Sequence, residues 1–151
     1  MIKFISARTL QRLIKFWPPM LGAGIRIKEI SDDYRHLVVS MKLRRYNRNY
    51  VGTHYGGSLF SMTDPFYMVM LLNILGPKYY VWDKTSKIDY VAPGKTEVFA
   101  KFQLSEDQIR DIVKRSSDGA PLYVDFKVDI LDTNGDVVAK VDKTLYIRKK
   151  K

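Results

Sequence analysis

The stretch from Asn49 to Leu75, NYVGTHYGGSLFSMTDPFYMVMLLNIL, limits what this chain can fold into more than any other. It opens on small and polar residues. From Leu59 to Leu75 nearly every position is apolar, so a helix built from it has no wet face. A helix that is hydrophobic all round has to be wrapped by other elements. Gly76-Pro77 closes the segment. One carboxylate, Asp64, sits in the apolar run, and no Lys or Arg lies between Arg48 and Lys78 to pair with it locally. Pro65 follows it directly, which leaves two readings open. Asp64 is a group with chemistry to do, or it is the N-cap of a helix with Pro at its first position. A helix from about Gly57, kinked at Pro65, is the expectation, because Ser58 to Thr63 suits a helix. The missing N–H of a mid-helix proline costs about 3 kcal/mol.

The flanking segments supply the wrapping. Ile25, Ile27 and Ile30 alternate with Arg26 and Lys28, Ser31-Asp32-Asp33 turns, and His36 to Leu43 alternates again, so an antiparallel hairpin is predicted. After the helix come strands over Tyr79–Ala92 and Thr96–Leu104, separated by Pro93-Gly94. Ser105 caps a short helix to Lys114 with acids in its first turn. Strands over Leu122–Leu131 and Val137–Ile147 flank the Asp132-Thr-Asn-Gly-Asp136 turn. The fold class is therefore α+β: a six-stranded, mostly antiparallel sheet around one long central helix. At 151 residues, with no linker or repeat, the chain reads as a single domain over 1–151.

Residues 1–19 read as an N-terminal amphipathic helix, with Ile5, Leu10, Leu13, Ile14 and Trp17 near helical spacing and Pro18-Pro19 ending it. Packing on the domain is the preferred reading, since Leu and Trp at such spacing are usually packing residues. Peripheral contact with a membrane surface, or an Arg-rich presequence, are the sharper ones. This helix, or a partner subunit, is expected to cover the outer face of the sheet.

The net charge of +10 favours polyanionic partners, and 148–151 forms a basic tail. No nucleic-acid-binding motif accompanies it, so nucleic acid is not expected as a partner. The chain has no cysteine, which removes thiol catalysis and thiolate metal sites, and two histidines, His36 and His54, are too few for a histidine-rich metal site. No metal or other cofactor is expected. No signal peptide is recognisable, so a cytoplasmic location is expected.

The motif Tyr55-Gly-Gly-Ser-Leu-Phe-Ser-Met-Thr-Asp64, with Asn49 upstream, resembles the hot-dog-fold thioesterases of the phenylacetate-pathway type. Lys87-Ile-Asp-Tyr-Val-Ala-Pro93-Gly94 is similar to that family's strand after the helix. Gly-Gly-Ser-Leu-Phe, Asp-Pro-Phe-Tyr-Met and Val-Trp-Asp-Lys look closest to the branch called domain of unknown function 4442. The resemblance implies a hot-dog fold and a thioester hydrolase acting on acyl-CoA or a similar carrier. It also implies a homodimer or dimer of dimers with sites at subunit interfaces. On it, Asp64 matches the catalytic carboxylate, as base or nucleophile. The backbone N–H of Gly56 or Gly57 matches the oxyanion hole, and Asn49 the polar residue that holds water or the thioester. The family's His before Gly-Gly is Tyr55 here, and His54 stands one residue early.

The residues argue in the same direction without a family. Free N–H groups and the dipole at a helix start suit a developing oxyanion, and glycines let backbone approach a ligand. A carboxylate in a mostly apolar site has a raised pKa and is a better base. Gly57 to Asp64 is about two turns, roughly 10 Å along a helix axis. One helix cannot place both at the same reacting atom, so the site would draw Asp64 from one chain and the Gly-Gly turn from another. His54, Tyr55, Ser58, Arg48 and Lys95 are the candidate substrate-binding residues, the last two as partners for CoA phosphates. Competing readings are a non-catalytic acyl- or lipid-binding protein, a nucleic-acid-binding domain, and a dehydratase that would depend on His54.

Overall fold

The computed structural model describes residues 5–150. The predicted start of the first helix at Met1 and the last residue of the basic tail lie outside them.

The hairpin forms as β1 (Ile25–Ile30) and β2 (His36–Met41), with Ile27 opposite Val39. β3 (Tyr79–Tyr90), β4 (Val98–Gln103), β5 (Leu122–Leu131) and β6 (Val137–Lys149) follow. They make one six-stranded sheet in the order β1-β2-β4-β5-β6-β3, and every pairing is antiparallel. Alternation sends Leu37, Val39, Ala100, Phe102, Ile130 and Val141 into the core.

The sheet wraps the apolar segment, as its lack of a wet face demanded. The segment is the long central helix expected, Gly56–Leu75, broken before Pro65 into α3 (Gly56–Ser61) and α4 (Phe66–Leu75). Pro65 has no N–H, and the chain tightens before it: the Thr63 and Asp64 N–H groups bond the carbonyls of Phe60 and Ser61 three residues back, at 3.0 and 3.2 Å. The ladder resumes when the Val69 N–H bonds the Pro65 carbonyl at 2.8 Å. α4 buries Phe66 and Tyr67 against Phe102, with ring centroids 5.4 and 5.1 Å apart. By length and composition Gly56–Leu75 could cross a membrane, but it is the core segment under the sheet.

The amino-terminal segment departs from expectation. It is α1 (Ala7–Leu13), a 3-10 turn (Ile14–Phe16) and α2 (Pro18–Ala23). Pro18-Pro19 opens α2 rather than ending the segment, because a missing N–H is harmless in a first turn. Gly24, at φ 76°, closes it. Ala7, Leu10, Ile14 and Met20 pack towards the core, whereas Leu13 and Trp17, expected to pack, face solvent, as does Phe16 between them. The segment lies along β1 and beside α3, so it does not cover the outer face of the sheet. There Tyr80, Trp82, Tyr146 and Tyr123 form an open row, with successive centroids 5.7, 6.0 and 5.8 Å apart. α5 (Glu106–Arg115) has the predicted Ser105 cap as a full capping box with Gln108, and buries Ile109 and Ile112.

Candidate active site

Asn49 organises the loop before α3. Its side-chain carbonyl accepts from the Val51 and Thr53 N–H groups at 3.1 and 3.0 Å. Its amide donates to Thr53 Oγ1 at 2.9 Å and the His54 carbonyl at 3.3 Å. All of these bonds are local, so the side chain shapes the loop. The chain then turns into α3 at Tyr55, whose side chain makes no cap. Among the described residues, neither the Gly56 nor the Gly57 N–H has a hydrogen-bond partner, while those of Ser58 and Leu59 bond the Tyr55 carbonyl.

This turn forms one wall of a cavity of about 420 Å³, and the strand exit Tyr90–Gly94 forms the other. His54 joins the two walls. Its backbone N–H bonds the Gly94 carbonyl at 2.9 Å, and its ring Nε2 bonds the Thr96 carbonyl at 2.8 Å. A carbonyl can only accept, so Nε2 carries the proton. Nδ1 is then a bare acceptor, buried without a partner. Burial lowers the pKa of this imidazole, partly offset by the Thr96 bond. Gly94 has to be small: a Cβ there would lie 3.0 Å from the His54 ring and 3.2 Å from Val138. The Tyr90 ring covers Gly56, and the Tyr55 ring covers Gly57, where a Cβ would lie 2.5 Å from it.

The predicted residues thus fall in three places. Asn49, His54, Tyr55, Gly56 and Gly57 line the cavity. Arg48 and Ser58 line a neighbouring groove of about 530 Å³ on the other side of Tyr55, between α2 and α3. Lys95 is exposed just past the Gly94 wall.

Asp64 is at the far end of α3, outside the cavity of its own chain. It does not lie in the apolar surroundings expected of it, for its side chain is 63% exposed. Nor is it a cap, because α4 has no side-chain cap bond. The sequence did not reveal what holds it. The Lys143 ammonium, with 0% side-chain exposure, reaches from β6 to the helix break. It donates to the Asp64 carbonyl and, at 3.5 Å, to the Thr63 carbonyl and Asp64 Oδ1. Asp83 Oδ1 is 2.9 Å away, an ionic contact without the alignment of a good hydrogen bond. The ionic partner of Asp83 is thus Lys143 and not the adjacent Lys84. Burial raises the pKa of Asp83 and the nearby Asp64 adds to this, against the lowering effect of Lys143. The signal for both was parity. Lys143 shares its strand side with Val141 and Leu145, and Asp83 with Val81, so both had to point inward.

No group of His, Asp or Glu among the described residues could hold a metal ion. The cavity offers two backbone donors and mostly apolar walls, with the bare imidazole nitrogen buried behind them. It can bind and polarise a carbonyl, and it contains no carboxylate.

By sequence, residues 6–147 match the family described as Domain of unknown function (DUF4442). No curated protein matches the chain. Among solved structures it is similar to a Pseudomonas aeruginosa protein of unknown function named a probable thioesterase, with a TM-score of 0.87 and 17% identity over 96% of this chain and 97% of that one. A protein of unknown function from Chlorobaculum tepidum superposes with a TM-score of 0.76 at 14% identity, over 95% and 94%. A thioesterase from Haemophilus influenzae superposes with a TM-score of 0.70 at 13% identity, over 97% and 93%. The architecture they share with this chain is the hot-dog fold.

Proposed function

The chain belongs to the DUF4442 family, and on that footing we propose that it hydrolyses thioesters of coenzyme A or a similar acyl carrier, at sites each completed by a second copy of the chain. One observation carries the reading. The cavity has two unpartnered N–H donors at Gly56 and Gly57 but no acid, while the chain's anchored, exposed carboxylate, Asp64, stands at the other end of the same short helix. A twofold partner with its α3 antiparallel would bring its Asp64 to this cavity, and the reverse. β3 is an edge strand that, among the described residues, pairs only with β6, and it runs into the cavity wall at Tyr90, so pairing across that edge is the geometry proposed for the dimer. Names of structural neighbours that include thioesterases support the reaction class.

In the proposed reaction the thioester carbonyl oxygen lies against the Gly56 and Gly57 N–H groups. Asp64 takes a proton from water as the water oxygen bonds the carbonyl carbon. The oxyanion collapses, the C–S bond breaks, and the thiolate leaves and is protonated, giving a carboxylate and a thiol. If Asp64 is instead the nucleophile, its oxygen bonds the carbonyl carbon, the C–S bond breaks as the thiolate leaves and is protonated, and water cleaves the resulting anhydride. Arg48 and Lys95 are exposed cations beside the cavity, placed for carrier phosphates. The reaction asks for no cofactor, and a cytoplasmic location belongs to the same proposal. Asp64→Asn should lower turnover of medium- and long-chain acyl-CoAs by roughly 10²- to 10⁴-fold. Equal rates in both proteins would remove Asp64 from the mechanism.

A second reading, a non-catalytic acyl-binding protein, is favoured by Tyr55 and His54. The position where a histidine is expected carries a tyrosine, and the histidine beside it has one nitrogen engaged by Thr96. Bound acyl-CoA without turnover across a broad thioester panel would establish it.

A further inference from the structure

We propose that the junction of α1 and α2, with the loop that follows β2, is a docking surface for an anionic lipid bilayer. Single exposed apolar residues are ordinary, but a contiguous group of them marks an interaction site. Leu13, Phe16, Trp17 and Leu21 are all exposed, Phe16 at 64% and Trp17 at 48%, while the inner side of the same segment packs on the core through Leu10, Ile14 and Met20. The helices are therefore fixed, and their second apolar face has no partner among the described residues.

The loop after β2 continues this surface. Tyr46 lies against Gly24, and Asn47 donates to the Ala23 carbonyl at 2.8 Å. Tyr50 and Val51 stand fully out at the loop's tip.

The segments that carry the surface hold basic residues and no acid. No Asp or Glu occurs before Glu29, or from Tyr34 to Thr63. Arg8, Arg12, Lys15, Arg44 and Arg45 are exposed, and none has an acidic partner among the described residues. The Lys15 ammonium lies 5.0 Å from the centre of the Phe16 ring, so cation and aromatic occupy the same spot. Aromatic and aliphatic side chains fringed by unpaired cations fit the boundary between acyl chains and anionic headgroups. The aromatic row on the outer sheet face differs in this respect, for Asp125 and Asp142 stand among the strands that carry it. The groove between α2 and α3 opens beside the proposed surface and runs to Tyr55 and Gly57. The docking itself stands apart from the catalytic reading, because lipid binding is measured without thioester.

The test is co-sedimentation of the whole protein with vesicles of phosphatidylcholine alone or with added phosphatidylglycerol. Wild type should sediment with the anionic vesicles and much less with neutral ones. Phe16→Ser with Trp17→Ser should abolish this, and Arg12→Gln with Lys15→Gln should weaken it roughly tenfold or more. All four residues are exposed, so both double variants should keep the wild-type melting temperature. In a Trp82→Phe background, Trp17 emission should shift to the blue with anionic vesicles. Absence of partitioning, or partitioning untouched by either double variant, would overturn the proposal. So would an oligomer that Phe16→Ser/Trp17→Ser dissociates in a protein that binds no vesicles, which would assign the surface to a second copy of the chain.

Discussion

At His54, two strong side-chain demands meet in one residue. The ring ties the loop before α3 to the chain beyond Gly94 through Thr96, and it is buried with Nδ1 unsatisfied. A buried imidazole of this kind resists protonation, and its pKa is lowered from 6.5. Below that value the unfolded chain binds a proton that the folded chain refuses. Stability from this site is therefore full above the unfolded pKa and is lost as the pH falls through it. His54→Gln can keep the bond to Thr96 but cannot charge. The urea midpoint of wild type should fall more steeply between about pH 7 and pH 5 than that of the variant. Parallel curves would show that His54 does not supply this linkage. The sequence offered His54 as a substrate-binding candidate; in the structure its bond to Thr96 fixes the loop and, with it, one wall of the cavity.

Between elements, the break from α3 to α4 depends on a residue from another strand. Pro65 made an interruption legible. What satisfies it was not legible, for Lys143 lies 79 residues beyond Asp64 in sequence. A strand's side-to-side parity says that a lysine points inward, but not what it meets. Lys143 joins β6, the half-buried Asp83 carboxylate on β3 and the carbonyls of the break. Lys143→Met should destabilise the fold by about 3 kcal/mol, because Asp83 is left unpaired in a largely buried place. Adding Asp83→Asn to Lys143→Met should recover part of that loss, measured by denaturant titration; additive losses would mean that the two do not form a pair. The strands were more legible than the helices. Alternation fixes which face of a strand is buried, and the Asn134-Gly135 turn fixes where β5 returns as β6. The faces of α1 and α2 could not be assigned this way, because apolar residues occupy both and spacing alone does not say which side meets the core.

On the scale of the molecule, the sheet and its central helices hold apart the two groups of the proposed site. Gly56 and Gly57 face a cavity with no carboxylate, and Asp64 faces solvent beyond the other end of α3. That separation was legible in advance from the spacing of the motif. The cavity itself was not, since its second wall comes from the distant Tyr90–Gly94 segment. The claim that two copies share each site is tested most directly by complementation. Asp64→Asn and Gly57→Val should each be nearly inactive alone. Unfolded and refolded together, they should form mixed dimers with one intact site, and regain roughly a quarter of wild-type thioester hydrolysis if pairing is random. A mixture no more active than its separate variants, with mixed dimers present, would contradict the shared site and place both groups in one chain's own chemistry.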